Sequence, residues 1–159
     1  MARWADIEAD APEFAAAVRG LLEAHKHKTL ATLRKDGSPR ISGTEADIVD
    51  GDVWFGSMWG ARKARDLQRD PRFALHSGTE DPPGGKGDAK LSGRVEEVKD
   101  DARKRALAGA QGNEPSGAPD YHLFRADIAE AVITRVGEPA DHLVIELWRE
   151  GEGVRRMRR

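Results

Sequence analysis

Apolar residues follow two different spacings along the chain, and the change separates a helical start from a region of strands. Near the N-terminus they recur every three or four positions, the period of one helix face, at Phe14, Val18, Leu21 and Leu22. Asp10 and Pro12 precede this stripe, and an Asp cap followed by an early proline is typical of a helix start. The pattern therefore predicts a helix that packs one apolar face on the rest of the protein.

Beyond this helix, apolar and polar residues alternate in short segments separated by turn residues. The segments 29–33, 39–48 and 52–57 are joined by two Asp-Gly turns and predict an antiparallel meander. Further helices are predicted over 61–69 and 100–110, and further strands over 72–76, 89–98, 126–136 and 143–148. Residues 77–87 and 111–120 contain Gly and Pro and are expected to form loops, the first of them facing the surface or a ligand.

Strands that follow one another through short turns favour an antiparallel sheet. About seven strands are enough for the sheet to curl, so the sequence predicts an α+β fold, a small barrel with short helices packed outside. Residues 1–159 are expected to form one domain, with an N-terminal helix region over 1–27 and a basic tail over 149–159. We expect residues 154–159 to be a frayed terminus rather than a contact to an anionic ligand. Gly93, inside a predicted strand, indicates a bend or a close approach to the sheet.

Composition excludes several classes of function. The 26 basic and 28 acidic residues nearly balance, so the overall charge gives no reason to expect binding to nucleic acid or to a membrane surface. The chain has no cysteine, which excludes disulfides, thiolate metal sites and thiol chemistry. No apolar run approaches the roughly 18 residues of a membrane span, and the N-terminus lacks a signal-peptide pattern, so a cytoplasmic protein is expected.

Motifs for side-chain catalysis are absent from the sequence. His25 and His27 lie close together, but no carboxylate or third histidine follows at a metal-ligand interval, so no metal site is expected. The chain contains no Gly-x-Ser-x-Gly elbow, no P-loop and no Gly-x-Gly-x-x-Gly fingerprint. The sequence therefore nominates no catalytic residue, and if the protein is an enzyme, we expect a bound cofactor to supply the chemistry.

The strongest chemical signal is a basic helix start that follows a glycine-containing turn. Gly56 and Gly60 permit a chain reversal, after which Arg62 and Lys63 fall in the first turn of a predicted helix. Unpaired backbone N–H groups, the positive end of the helix dipole and two cations would together favour an anion such as a phosphate. The alternative interpretation is a solvated surface helix.

Residues of two neighbouring predicted strands complete this candidate site. By alternation, Arg40 and Ser42 share one face of the second strand, and an arginine fork can bind two phosphate oxygens at once. The third strand brings Phe55, Gly56 and Ser57 alongside. The barrel wall beside these cations could accept a planar ring.

The order and spacing of three segments resemble a known family. They are Thr29-Leu-Ala-Thr-Leu-Arg-Lys-Asp-Gly-Ser-Pro-Arg40, Gly51-Asp-Val-Trp-Phe55 and Ala61-Arg-Lys-Ala-Arg-Asp-Leu-Gln-Arg-Asp-Pro-Arg72. Together they look like the pyridoxamine 5′-phosphate oxidase-like superfamily, the split β-barrel flavin and deazaflavin reductases. The segment Leu143-Val-Ile-Glu-Leu-Trp-Arg-Glu-Gly-Glu-Gly-Val-Arg-Arg156 resembles actinobacterial members, so the resemblance covers most of the chain.

The resemblance implies an antiparallel split barrel that forms a homodimer with cofactor sites at the interface. The barrel has six strands in the family, and the hydrophobic pattern of this chain predicts six to seven. It implies that Arg62 and Lys63 hold a cofactor phosphate and that Arg40 assists. The serine that usually precedes the Arg-Lys pair is Ala61 here, and Ser57 is the candidate substitute for its hydroxyl. Pyridoxine metabolism is not implied, because the chain ends without the segment that binds the substrate phosphate in true pyridoxamine phosphate oxidases.

The functional hypothesis is a hydride transfer to or from a small organic molecule. The cofactor implied is FMN, with the deazaflavin coenzyme F-420 as the alternative. Trp54 or Trp59 would orient its ring, and Trp59, between glycine-flanked positions, is the stronger candidate. The alternative function is a non-catalytic flavin- or deazaflavin-binding carrier or sensor module.

Overall fold

The fold is built on one antiparallel sheet that closes into a barrel. The computed structural model describes residues 1–79, 86–110 and 120–159, apart from the side chains of 108–110. The strands are β1 His27–Leu33, β2 Pro39–Val49, β3 Asp52–Met58, β4 Arg72–His76, β5 Asp88–Val98, β6 Tyr121–Val136, β7 Leu143–Arg149 and β8 Gly153–Arg158. The helices are α1 Trp4–Asp10, α2 Pro12–Glu23, α3 Arg62–Arg69 and α4 Asp101–Ala110.

Pairing between β3 and β6 closes the barrel. The strand order is β3-β2-β1-β4-β5-β6, with β7 and β8 added beyond β6. Closure pairs the backbone groups that would otherwise be exposed along the edges of the sheet. The predicted α+β class and the antiparallel split barrel are confirmed, with six strands in the closed barrel and two outside it.

The barrel interior is filled by inward-facing side chains from alternate strand positions. Phe55 lies at its centre, with its ring centroid 5.4 Å from that of Phe73 and 6.2 Å from that of Phe124. The apolar stripe of α2 is buried against this core at the four predicted positions, which are Phe14, Val18, Leu21 and Leu22. Within the described residues, no helix has both the length and the apolar character needed to cross a membrane.

The helix start with an early proline is confirmed at Pro12, but the predicted Asp10 cap is wrong. Asp10 ends α1, a helix that the sequence did not predict, and α2 begins at Pro12 after Ala11, without a side-chain cap. The Asp10 carboxylate instead accepts a hydrogen bond of 2.7 Å from the indole N–H of Trp148. The Trp148 ring is buried in the core, and a buried indole N–H requires a partner.

The predicted frayed terminus is also wrong, because β8 pairs with β7 from Arg149 opposite Gly153 to Val144 opposite Arg158. The exposed edge of β7 offers unpaired backbone groups, and the turn before β8 contains two glycines with positive φ, Gly151 and Gly153. The basic side chains of β8 do not prevent this pairing, since they remain in solvent.

Strand β6 is longer than predicted because its first residues, from Tyr121, pair with β3. Apolar and polar residues do not alternate in this segment, because both faces of the strand are covered. One face packs under α4, where Leu123 contacts a small cluster of Trp54, Val98 and Leu107, and the opposite face lines the barrel interior. The predicted loops lie largely outside the described residues, over 80–85 and 111–119.

Gly93 is the site of a close backbone approach, as predicted. The β5–β6 register shifts between Ser92 and Gly93, and a Cβ atom on Gly93 would lie 2.0 Å from the Asp127 carbonyl oxygen. No side chain can occupy this position unless the strands move apart.

Replacing Gly93 by alanine should therefore lower the free energy of unfolding by about 1 to 3 kcal/mol. The matched control is Gly43→Ala in β2, where a Cβ would meet nothing within 4 Å; it should change stability by less than about 0.5 kcal/mol. Urea denaturation of both variants measures the difference, and equal stabilities would contradict the close approach.

Candidate functional site

The turn between β3 and α3 brings a helix N-terminus to the barrel surface. Gly60 has φ +68°, in the left-handed region that glycine adopts without strain. Ala61 precedes α3 and supplies no side-chain cap. The first N–H groups of a helix have no intrahelical acceptor, so this helix end keeps its capacity to bind an anion.

The composition of α3 divides it into a buried face and a basic face. Ala64 and Leu67 pack into the core. Arg62, Arg65 and Arg69 recur at intervals of three and four, which places them on one side of the helix. The apolar face fixes the helix on the barrel, and the guanidinium groups are left at the surface.

A cleft of about 600 Å³ lies between the basic face of α3 and the β1–β2 turn. Six basic and two acidic side chains line it: Arg34, Lys35, Arg40, Arg62, Arg65 and Arg69, with Asp36 and Asp66. Such an excess of positive charge in a concave site attracts anions.

Asp66 is the buried acceptor at the base of this cleft. Its carboxylate accepts hydrogen bonds of 2.6 Å from Arg40 Nε, 3.1 Å from Arg69 Nη2 and 3.0 Å from Thr32 Oγ1. Burial alone would raise the pKa of Asp66, but these bonds outweigh burial and hold the pKa below its ordinary value. Asp66 is therefore ionised at neutral pH and orients two of the arginines.

The other four cations of the cleft have no carboxylate within ion-pair distance among the described residues. Within the described part of the chain, Arg34, Lys35, Arg62 and Arg65 form no ion pair within 4 Å. The Asp36 carboxylate is occupied by Ser38, whose amide and hydroxyl donate bonds of 3.0 and 2.6 Å. An entering anion would therefore meet cations with no carboxylate to displace.

The predicted Arg62-Lys63 pair is divided by the structure. Arg62 is exposed and lines the cleft. Lys63 is half-buried and its Nζ donates a 2.8 Å bond to the Gly43 carbonyl oxygen, while burial lowers its pKa. Lys63 therefore fastens the start of α3 to β2, and Arg62 is the member that faces the cleft.

The remaining predicted strand residues do not line the cleft. Ser42 is half-buried on β2, and Gly56 is exposed on β3. The Phe55 side chain is in the barrel core, and its backbone lies between β2 and β6, paired opposite Ala46 and Phe124. Ser57 is buried, and its Oγ has no hydrogen-bond partner among the described residues.

The two candidate tryptophans differ in exposure. Trp54 is 2% exposed, and its indole N–H donates a 3.0 Å bond to the Val49 carbonyl oxygen, so its ring belongs to the core. Trp59 is 64% exposed and stacks on His122, with ring centroids 4.7 Å apart and planes 5° apart. Of these two rings, only that of Trp59 is accessible from solvent.

Four of the lining residues were not predicted from the sequence: Arg34, Lys35, Arg65 and Arg69. The signal available was a basic pair in the first hairpin turn and basic residues three and seven positions after Arg62. Their convergence depends on how α3 packs over β1, which no local pattern specifies. Among the described residues, no group of three or more His, Asp or Glu could hold a metal ion.

The sequence of this chain matches a known protein family. Residues 14–134 match the family model described as pyridoxamine 5′-phosphate oxidase. No curated protein sequence matches the chain.

Several solved structures share the fold. PhzG from Burkholderia lata, in complex with tetrahydrophenazine-1-carboxylic acid, has a TM-score of 0.65 at 14% identity over 98% of this chain and 92% of that one. A Clostridium acetobutylicum protein of the pyridoxinephosphate oxidase family, related to general stress protein 26, is similar with a TM-score of 0.61 and 19% identity. The match covers 92% of this chain and 94% of that one. An F420 reductase is similar with a TM-score of 0.56 and 22% identity, over 71% of this chain and 94% of that one.

These identities are low, so the solved structures show the fold alone. The family model, in contrast, covers well over half of the sequence. It covers most of α2, the basic start of α3 and all but the last two residues of the closed barrel. The chain belongs to the pyridoxamine 5′-phosphate oxidase family.

Proposed function

We propose that the protein is an oxidoreductase that binds FMN, or alternatively the deazaflavin F-420, and transfers a hydride to or from a small organic molecule. The observation that carries the proposal is the cleft at the start of α3, where four cations have no ionic partner among the described residues. Unpaired cations and the first N–H groups of a helix each favour the binding of a phosphate.

The arrangement of the cleft residues fits a phosphate. Arg62 is free to turn its guanidinium towards the helix N-terminus. Arg40 uses its Nε for Asp66, which leaves its two Nη groups for a ligand and holds the side chain in one orientation. Ala61 supplies no hydroxyl, so we propose that arginine contacts and backbone N–H groups replace the serine contact of the family.

The exposed Trp59 ring lies in the turn that leads into α3, and we propose that it contacts the cofactor ring. A flavin or deazaflavin supplies hydride transfer when bound, so the protein needs no side-chain nucleophile. One of the solved structures that share this fold is an F420 reductase, and we propose a redox role for this chain as well. The residues of this chain would anchor the phosphate, orient the ring and leave one ring face open to a substrate.

The direct test is to purify the protein, denature it and identify any released chromophore by absorption and mass. Recovery of FMN or F-420, followed by turnover of the reconstituted protein with a reductant and a panel of small acceptors, would support the proposal. Retention without turnover would favour the carrier or sensor function. No chromophore, together with no binding of either added cofactor at micromolar concentration, would refute both.

We also propose that the protein is a homodimer, with the partner covering the outer face of the barrel. An apolar groove of about 450 Å³ crosses this face, and its lining includes Ala31, Ala74 and Val132. Ile41, also in the lining, is 75% exposed. Outer faces of antiparallel sheets are usually polar where they meet water, so this groove is suited to a second copy of the chain.

Replacing Arg62 by alanine should weaken binding of FMN or F-420 roughly ten- to a hundredfold, because one charge-assisted contact is worth about 1.5 to 3 kcal/mol. Lys63→Ala should weaken binding less, since Lys63 already donates to Gly43. The matched control is Arg155→Ala, an exposed arginine on β8 outside the cleft, which should leave affinity unchanged. Titration calorimetry measures all three, and unchanged affinity in a folded Arg62→Ala protein would refute the phosphate assignment.

Replacing Ile41 by aspartate should convert the dimer to a monomer, because a charge would be buried without a partner at the interface. The control is Val154→Asp on β8, which is exposed but lies outside the groove. Sedimentation velocity distinguishes the two species. A wild-type protein that sediments as a monomer, or an Ile41→Asp dimer, would show that this face is not the interface.

A further inference from the structure

Four residues from four parts of the fold form one hydrogen-bonded chain beside the candidate site. The Gly60 amide N–H donates to His122 Nε2 at 3.1 Å. His122 Nδ1 lies 2.6 Å from Glu97 Oε1, and Gln68 Nε2 donates to both Glu97 oxygens at 3.1 and 3.0 Å. The chain therefore joins the turn before α3 to β6, then to β5, and returns to the far end of α3.

The donors and acceptors of this chain determine where the His122 proton lies. A backbone N–H can only donate, so Nε2 must present a lone pair to Gly60. The ring is then neutral, with its proton on Nδ1, from which it donates to Glu97. Burial would raise the pKa of Glu97, but the bonds from His122 and Gln68 outweigh burial and lower it, so Glu97 is an ionised acceptor.

The same imidazole supports the Trp59 ring. The two rings are stacked 4.7 Å apart and nearly parallel, and His122 is buried while Trp59 is 64% exposed. One face of the indole is thus covered, and the ring is held at the protein surface without being buried itself. An aromatic ring fixed in this way loses little conformational freedom when a planar ligand stacks on it.

We propose that His122, oriented by Glu97, is a positioning residue for the cofactor site. It fixes the turn that leads into α3 through the Gly60 N–H, and it holds the Trp59 ring through the stack. Gln68 and Gly60 lie at opposite ends of α3, so the Glu97–His122 pair sets the position of the helix start relative to the cleft. The consequence for ligand binding rests on the proposed function, whereas the consequence for the turn and for Trp59 does not.

The first test uses nuclear magnetic resonance on the wild-type protein without ligand. Side-chain ¹⁵N shifts of His122 should show an unprotonated Nε2 and a protonated Nδ1, and the Gly60 amide should exchange slowly with solvent. A proton on Nε2 would overturn the proposal, because Gly60 could not then donate to it.

The second test compares variants that keep or remove the acceptor. His122→Phe retains an aromatic ring but no nitrogen, so Gly60 exchange should accelerate and the affinity for FMN or F-420 should fall about tenfold. The fluorescence of Trp59 should also change. Its contribution is obtained in each background by subtracting the emission of the matching protein that carries Trp59→Phe. Glu97→Gln retains an oxygen acceptor for Nδ1–H and should preserve most of all three properties.

The matched control is His142→Phe, which removes the other histidine that lies 2.6 Å from a carboxylate, that of Asp141. It should leave Gly60 exchange, Trp59 emission and affinity unchanged. A folded His122→Phe protein with wild-type Gly60 exchange and Trp59 emission would overturn the positioning role. If His122→Phe does not fold, the tautomer of the wild-type protein decides, because only an unprotonated Nε2 can accept from the Gly60 N–H.

The outcomes also separate this inference from the proposed function. If the wild-type protein binds neither cofactor, the proposed function fails, while Gly60 exchange and Trp59 emission still confirm or overturn the role of His122. If it binds one of them and His122→Phe binds equally well, the cofactor site stands and the positioning role is refuted.

Discussion

The candidate site depends on one buried carboxylate. Asp66 accepts hydrogen bonds from β1 through Thr32, from β2 through Arg40 and from its own helix through Arg69. Removing one partner of a buried ion pair typically costs about 3 to 5 kcal/mol, because the remaining charge has lost its compensation. The position of α3 on the barrel, and with it the direction of Arg62, follows from this contact and from the burial of Ala64 and Leu67.

The charge of the protein is balanced overall but distributed unevenly. The sequence holds 26 basic and 28 acidic residues, yet six basic side chains and only two acidic ones surround the cleft. Asp66 neutralises part of that charge and orients two arginines, while Arg62 and Arg65 remain unpaired on the described surface. The basic face of α3 thereby becomes one wall of a positively charged cleft.

Sequence patterns predicted the parts of the fold that local physics determines. The two Asp-Gly turns predicted the antiparallel meander of β1, β2 and β3, and the apolar stripe predicted α2; both are present in the structure. Barrel closure through residues from Tyr121 onward was not predictable, because both faces of that segment are covered and its pattern does not alternate. The pairing of β8 was missed because backbone pairing at an edge depends on the neighbouring strand rather than on side-chain type. The basic start of α3 was evident in sequence, but the second wall of the cleft at Arg34 and Lys35, and the partners of His122, arise only when distant strands meet.

The central claim is that an anionic group of a flavin or deazaflavin is held in the cleft. The most direct measurement is the affinity of the wild-type protein for FMN and for riboflavin, which differ only in the phosphate, with F-420 and its phosphate-free deazaflavin core as a second pair. Within the pair that binds, we expect the phosphorylated compound to bind about a hundredfold or more tightly than the phosphate-free one, because the latter lacks at least two charge-assisted contacts. Equal affinities for the phosphorylated and phosphate-free forms would contradict it.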